Sequence, residues 1–260
     1  MKLRRYTEMT LLVLAALGFL AILGSASYGT AQTSAPFGRD LILHETTTST
    51  GMMGAGGKET TSTTYFGANA MRRASSDGRD EIIRFDQGKI VMIDHKRKTY
   101  SEMTAQDLQA MFDKMGAEIG RDKEAMEAMK KMMGQIFSQI TVTKQGPGEN
   151  IAGYATVKYL IKGPMEMEVW AAPDLKVPSL YYDALKTRMP PNPMFDMGKI
   201  YDEMKKIDGM VLKNILTMSM MGQSMTTTTV VTSVEKGSVP ASTFEVPAGY
   251  KAVAPGARKF

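Results

Sequence analysis

The chain has 260 residues, of which 24 are methionine and none is cysteine, and its formal net charge at pH 7 is +5. The absence of cysteine excludes disulfide bonds and the lipid-modified cysteine of a bacterial lipoprotein, so burial alone must hold the fold together. With 32 basic and 27 acidic residues, the small positive excess does not indicate a nucleic-acid-binding protein.

The N-terminal residues have the pattern of a secretory signal peptide. Basic residues at positions 2–5 precede an uncharged, largely apolar run over positions 9–23. That run is too short to cross a bilayer core, which takes about 20 apolar residues. Small residues that end at Ala31 predict cleavage after that position. An uncleaved membrane anchor is the alternative.

Cleavage there leaves one domain of ordinary size. Residues 1–31 would be the signal peptide and residues 32–260 a single α+β domain, with its core over about 39–250. Three basic residues and one acidic residue leave with the signal, so the mature chain has a net charge of +3. We therefore expect a periplasmic or secreted protein that meets a membrane only transiently.

The first half of the mature chain predicts consecutive antiparallel strands. Threonine, isoleucine and aromatic residues are frequent, and glycine-rich or Asp-Gln-Gly segments separate the runs. The predicted strands are 39–50, 59–66, 80–85, 89–94 and 99–103. The basic residues at 95–98 are interpreted as a solvated turn.

The periodicity then changes to that of helices. Thr104 and Asp107 predict a helix N-cap with an acidic first turn. Two amphipathic helices should follow, because apolar residues recur at helical spacing up to position 140. Such helices need a partner surface, so we expect them to pack on the sheet.

Alternation returns after the turn at 146–150. Segments 155–162 and 165–171 each place apolar residues on one face. Residues 179–207 are predicted to be helical with a proline break, and a hairpin of 210–220 with 224–235 ends the fold. The tail from Lys251 onward is predicted to be frayed.

The C-terminal segment 243–250, with the pattern F-x-x-P-x-G-Y, is similar to the end of a known protein family. Together with the strand at 89–94 and the Trp-Ala-Ala-Pro-Asp segment at 170–174, it resembles an uncharacterised exported bacterial family similar to LolA, LolB and LppX-type lipoprotein carriers. The resemblance implies an α+β fold. In that fold a strongly curved antiparallel half-barrel sheet of about eleven strands has helices covering its concave face. It also implies an apolar cavity that holds acyl chains, and therefore a lipid or lipoprotein as partner.

The candidate cavity lining combines the apolar stripes of the predicted helices with the inward residues of two strands. Its members are Leu108, Met111, Phe112, Met115, Met126, Met129, Met133, Phe137, Val157, Tyr159, Met167 and Val169. Methionine is flexible and polarizable, which suits a pocket for variable lipid tails.

Catalytic motifs are not found. The chain has two histidines, no zinc-binding H-E-x-x-H segment and no G-x-S-x-G nucleophile elbow. The glycine-rich stretch 51–58 departs from a phosphate loop, because Glu59 stands where that loop has Ser or Thr. We therefore predict a non-enzymatic protein without a cofactor.

Two alternatives remain. Met218, Met220 and Met225 lie around the terminal hairpin turn, and thioethers select Cu(I), so a copper site is one alternative. A structural or protein-interaction domain of the envelope is the other, with the interior filled by side chains.

Overall fold

The computed structural model describes residues 40–50, 57–104, 106, 107, 110, 139–163, 166–176, 202–220 and 223–255. Most of these residues lie in strands. The strands are β1 (Asp40–Ser49), β2 (Lys58–Phe66), β3 (Ala70–Ser75), β4 (Arg79–Arg84), β5 (Lys89–Asp94), β6 (Thr99–Thr104), β7 (Thr141–Pro147), β8 (Val157–Lys162), β9 (Glu166–Ala172), β10 (Met210–Met220), β11 (Gln223–Gly237) and β12 (Lys251–Ala252). A 3₁₀ helix, Ala241–Phe244, precedes β12.

All twelve strands form a single sheet in the order β12-β6-β5-β4-β3-β2-β1-β11-β10-β9-β8-β7. Every neighbouring pair is antiparallel except β12 with β6, which is parallel. The pairing of β1 with β11 joins the two meanders, and a bulge between His44 and Glu45 interrupts its register. The first strand, β1, and the long strand β11 therefore meet in the middle of the sheet, whereas β12 lies at its edge.

The predicted fold class is wrong. We expected an α+β half-barrel of about eleven strands with helices over its concave face, whereas the described residues are nearly all strands and include no helix that covers the sheet. Short segments cover apolar residues of the sheet instead: Met204 and Ile207 pack against β8 and β9, and Phe244, at the end of the 3₁₀ helix, packs against β3, β4 and β5. The helical stripes over 108–138 and the proline-broken helix lie outside the described residues, apart from position 110 and positions 202–207.

The start of the first predicted helix is confirmed. Asp107 N donates to Thr104 Oγ1 at 3.2 Å, and the Asp107 carboxylate accepts from Thr104 N at 2.8 Å and from Thr104 Oγ1 at 2.7 Å. These bonds form a reciprocal N-cap. They lower the pKa of the Asp107 carboxyl from its ordinary value.

Most predicted strands are confirmed, and three were missed. The strand β3, rich in arginine and alanine, has weak strand propensity, and β7 directly follows the predicted helical stripe. The third, β12, is in the tail that we predicted to be frayed. Its backbone is fixed to the sheet edge, where Lys251 N donates to Lys98 O at 3.0 Å and Val253 N to Tyr100 O at 2.8 Å.

The sheet has two faces with different coverings. Leu43, fully buried, marks one face, which we call the Leu43 face, and Ile93, also fully buried, marks the opposite Ile93 face. The C-terminal segment 239–250 packs on the Ile93 face over β3, β4 and β5. Gly67 allows this close approach, because a Cβ there would lie 2.7 Å from the Phe244 ring.

Candidate ligand site on the Leu43 face

An apolar row crosses six adjacent strands on the Leu43 face. Direct cross-strand pairing aligns one residue from each of β1 to β6. The row consists of Leu41, Phe66, Met71, Ile83, Ile90 and Met103. The first four are at most 5% exposed, and the last two are partly exposed. Five strand spacings of about 4.8 Å make the row about 24 Å long.

The next row on the same face is mixed. Two residues further along each strand, the pairing aligns Leu43, Thr64, Arg73, Glu81, Met92 and Ser101. Arg73 and Glu81 face each other directly across β3 and β4. A charged pair therefore lies beside a long apolar row, about 7 Å away along the strands.

Glu45 completes a buried polar cluster next to that row. Its Oε2 accepts hydrogen bonds from Thr64 Oγ1 at 2.8 Å and from Ser62 Oγ at 3.2 Å. Arg73 Nε lies 3.6 Å from the same oxygen and donates to Ser62 Oγ at 3.2 Å. Because the Glu45 side chain is only 3% exposed, the hydroxyls and the guanidinium replace the water that it loses on burial.

Glu81 differs from Glu45 in having no such donors. Among the described residues, none donates a hydrogen bond to its carboxylate. Burial raises the pKa of the Glu81 carboxyl from 4.5 to about 7, and the charge of Arg73 only partly opposes this rise. The cluster therefore combines two carboxyls with one guanidinium, and one of the carboxyls titrates near neutral pH. Perturbed acids on an apolar surface are typical of functional sites.

Four of the predicted cavity residues lie in the described part, and the structure brings them together. Tyr159 pairs with Val169 across β8 and β9, and Val157 and Met167 lie on the same face of these two strands. Met204 and Ile207 belong to the same buried cluster, so this part of the lining is covered. The other predicted members lie outside the described residues. They are Leu108, Met111, Phe112, Met115, Met126, Met129, Met133 and Phe137.

The methionines of the alternative copper site are neighbours in the terminal hairpin. Met218 pairs directly with Met225 across β10 and β11. Met220 follows two residues later in β10 and pairs with Gln223, and its side chain is outside the described part. No three His, Cys, Asp or Glu side chains in the described ranges are grouped to hold a metal ion.

A second polar network lies on the Ile93 face and was not predicted. Asp80, 4% exposed, accepts from Arg72 Nε at 3.0 Å and contacts His95 Nε2 at 2.8 Å. His95 Nδ1 is hydrogen-bonded to Tyr250 Oη at 2.6 Å, and Arg72 Nη1 donates to Thr243 O at 2.8 Å. The network ties the C-terminal segment to the sheet.

The predicted turn at 95–98 is therefore confirmed for Lys96, Arg97 and Lys98, which are exposed, but His95 has a structural role. Sequence reasoning also missed Glu45, which continues the inward alternation of Leu41 and Leu43. An acid in the inward phase of a strand is the signal that could have found this site. In the same described ranges, no helix is long and apolar enough to cross a bilayer.

The chain belongs to the family described as domain of unknown function DUF4412, whose model matches residues 52–250. The match confirms the resemblance to an uncharacterised family. No curated protein matches the chain.

Solved structures give weaker likenesses. An uncharacterized conserved protein from Thermus thermophilus is 7% identical with a TM-score of 0.45, covering 84% of this chain and 91% of that one. A LolA superfamily protein from Nitrosomonas europaea is 6% identical, with a TM-score of 0.34 and coverage of 82% and 92%. A putative outer membrane lipoprotein-sorting protein domain from Vibrio parahaemolyticus is 7% identical, with a TM-score of 0.33 and the same coverage. At TM-scores below 0.5 these likenesses carry no argument about what this chain binds.

Proposed function

We propose that this DUF4412 protein is a non-enzymatic, exported protein that binds a lipid or the acyl chain of a lipoprotein on the Leu43 face of its sheet. The apolar row beside the Glu45–Arg73–Glu81 cluster is the observation that supports the proposal. An amphipathic molecule would place its chain along the row and its polar end at the charges. Apolar surface with a few convergent polar groups is the usual character of a lipid site.

The dimensions of the row suit an acyl chain. A bilayer hydrocarbon core of about 30 Å holds two layers of chains, so one chain extends about 15 Å. The row of about 24 Å exceeds that length. Its partly exposed end, at Ile90 and Met103, is where the chain would enter, because the other four members are already covered. Removing the chain from water would supply the binding energy, at about 25 cal/mol for each Å² of apolar surface buried.

The first experiment is native mass spectrometry of the full protein purified from its own source, followed by solvent extraction. We expect an adduct that extraction releases as an acyl lipid. Protein without any guest that also fails to take up a neutral fluorescent acyl probe would contradict the proposal. A structural or partner-binding role would then replace it.

A matched pair of variants locates the site. Ile90→Asn places an amide in the apolar row, on β5. Ile42→Asn makes the same change on β1, on the opposite Ile93 face of the sheet. Both isoleucines are partly exposed, so their losses of stability should be similar. We expect at least tenfold weaker probe binding for Ile90→Asn and unchanged binding for Ile42→Asn. Equal effects would place the probe elsewhere.

Export is tested separately by the intact mass of the protein outside the cytoplasm. Cleavage after Ala31 predicts a chain that begins at Gln32, with Ser27 as the alternative start. A full-length species extracted only with the membrane would support the uncleaved anchor and contradict the proposed localisation.

A further inference from the structure

The charges of the cluster do not balance, and this imbalance bears on the chemistry of the ligand. Glu45 and Glu81 supply two carboxyls, and Arg73 supplies one guanidinium. Arg73 is engaged on the side of Glu45, where its Nε donates to Ser62 Oγ and lies 3.6 Å from Glu45 Oε2. Glu81 has no hydrogen-bond donor among the described residues. Among the described residues, Arg73 on the neighbouring strand is therefore the cation that faces Glu81, and Arg73 also serves Glu45.

Glu81 also has the position that a ligand needs. In its row it lies between Arg73 and Met92, and Ile83 of the apolar row is two residues further along the same strand. A molecule whose chain follows the apolar row would bring its polar end within one residue pair, about 7 Å, of the Glu81 carboxylate. Glu45 is less accessible, because its side chain is only 3% exposed.

We propose that the polar end of the ligand is cationic, a primary or quaternary ammonium group, and that Glu81 is its counterion. This inference rests on the proposed function. An ammonium group would bring the cluster to two negative and two positive charges, and it would give Glu81 a hydrogen-bond donor or a second cation beside Arg73. An anionic end would instead approach two carboxylates with one guanidinium between them, which disfavours it.

The titration of Glu81 is consistent with such a role. Burial holds the pKa of its carboxyl at about 7, so an arriving cation would favour the ionised form. A cation would thus be bound more tightly as the pH rises through 7. Glu45 and Arg73 face this position from β1 and β3. Arg79 and Asp94, which pair directly across β4 and β5, lie one residue pair further along the same face, and their opposite charges offset each other.

The test uses the full chain, loaded with a neutral fluorescent acyl probe at pH 8. Dodecylamine, dodecanol and dodecanoate, each below its micelle concentration, are compared as displacing agents. We expect dodecylamine to displace the probe at concentrations at least tenfold lower than dodecanoate, with dodecanol between them. Glu81→Gln should reduce that ratio to about one, whereas Glu59→Gln, a change at an exposed glutamate of β2, should leave it unchanged.

The outcomes separate this inference from the proposed function. Equal displacement by all three compounds, a preference for dodecanoate, or a preference for dodecylamine that persists in Glu81→Gln would overturn the cationic ligand while the lipid site stands. If the probe itself does not bind, the proposed function and this inference fail together. Thermal unfolding of Glu81→Gln checks that the variant is folded. A variant that unfolds at a higher temperature but binds dodecylamine more weakly would show that Glu81 serves binding and not stability.

Discussion

His95 and Tyr250 are 155 residues apart, and a hydrogen bond of 2.6 Å joins His95 Nδ1 to Tyr250 Oη. The rings meet edge to face, with centroids 5.6 Å apart. The other ring nitrogen, His95 Nε2, lies 2.8 Å from the Asp80 carboxylate. The contact orients both rings and holds the C-terminal segment against the Ile93 face.

Tyr250→Phe should therefore weaken the attachment of the C-terminal segment, because it removes the hydroxyl while the ring still packs on the sheet. Loss of the hydrogen bond should lower the free energy of unfolding by about 1 kcal/mol and speed proteolysis near the C terminus. Denaturant unfolding and limited proteolysis measure the two effects. Tyr154→Phe is the control, since in the described part of the chain the Tyr154 hydroxyl has no hydrogen bond. Equal effects of the two substitutions would exclude a specific role for the His95 contact.

The local parts of this fold could be predicted from the sequence. Alternation correctly placed Tyr159, Met167 and Val169 on one buried face, because a strand repeats every two residues whatever its partners are. The resemblance of segment 243–250 was also correct at the level of the family. The contact of Tyr250 with His95 could not be predicted, because it depends on the packing of the C-terminal segment across β4 and β5.

The candidate site was missed for the same reason. Glu45, Arg73 and Glu81 come from three strands, and only the registers of β1 with β2, β2 with β3 and β3 with β4 bring them together. A slip of one residue in any of these pairs would move one of them to the other face. Periodicity shows which way a side chain points but does not give this register.

Gly209 should not tolerate a side chain. Its φ is +93°, and a Cβ there would lie 2.0 Å from Ala172 O, a backbone atom that cannot move aside cheaply. Gly209→Ala should cost more than about 2 kcal/mol in the free energy of unfolding. Gly153→Ala is the matched control, because its φ is +84° but no atom lies within 4 Å of the added Cβ. Backbone strain alone should cost about 1 kcal/mol there, and equal losses at both sites would contradict the clash.

Replacing the three hairpin methionines tests the copper alternative. Met218 and Met225 are directly paired, so Cu(I) would find two thioethers side by side, with Met220 as the third methionine of the predicted site. We expect Cu(I) titration of the full chain to show no defined stoichiometry. Stoichiometric binding that the triple change to leucine abolishes would establish the copper site, since leucine keeps most of the volume of methionine.

Arg73→Met should destabilise the protein by leaving Glu45 without its cation. Breaking a fully buried pair costs about 3–5 kcal/mol, and we expect about 2 kcal/mol because the Arg73 side chain is 32% exposed. The double change with Glu45→Gln should recover part of this loss, which denaturant unfolding measures. Arg97→Met, at an exposed pair with Asp94, should cost less than about 1 kcal/mol. Equal costs for Arg73 and Arg97 would show that the cluster does not depend on its guanidinium.

Glu81→Gln should stabilise the unliganded protein at alkaline pH. Burial raises the pKa of Glu81 from 4.5 to about 7, so the folded state holds this proton more tightly than the unfolded state does. Below pH 4.5 both states are protonated and the carboxyl has no penalty. As the pH rises through 7, ionisation of the buried carboxyl makes the folded state less stable.

The size and pH range of the effect follow from that difference. The difference between the two pKa values corresponds to a loss of about 3 kcal/mol in the free energy of unfolding. Solvent screening of this partly exposed side chain reduces the expected loss to about 1–2 kcal/mol. Urea unfolding at pH 4 and pH 8 should show Glu81→Gln equal to the parent protein at pH 4 and more stable at pH 8. Glu59→Gln should show no such change. If Glu81→Gln is instead less stable at pH 8, the ionised carboxylate has a stabilising partner within the protein. That partner would then occupy the place beside Glu81 that we assign to the ammonium group of the ligand.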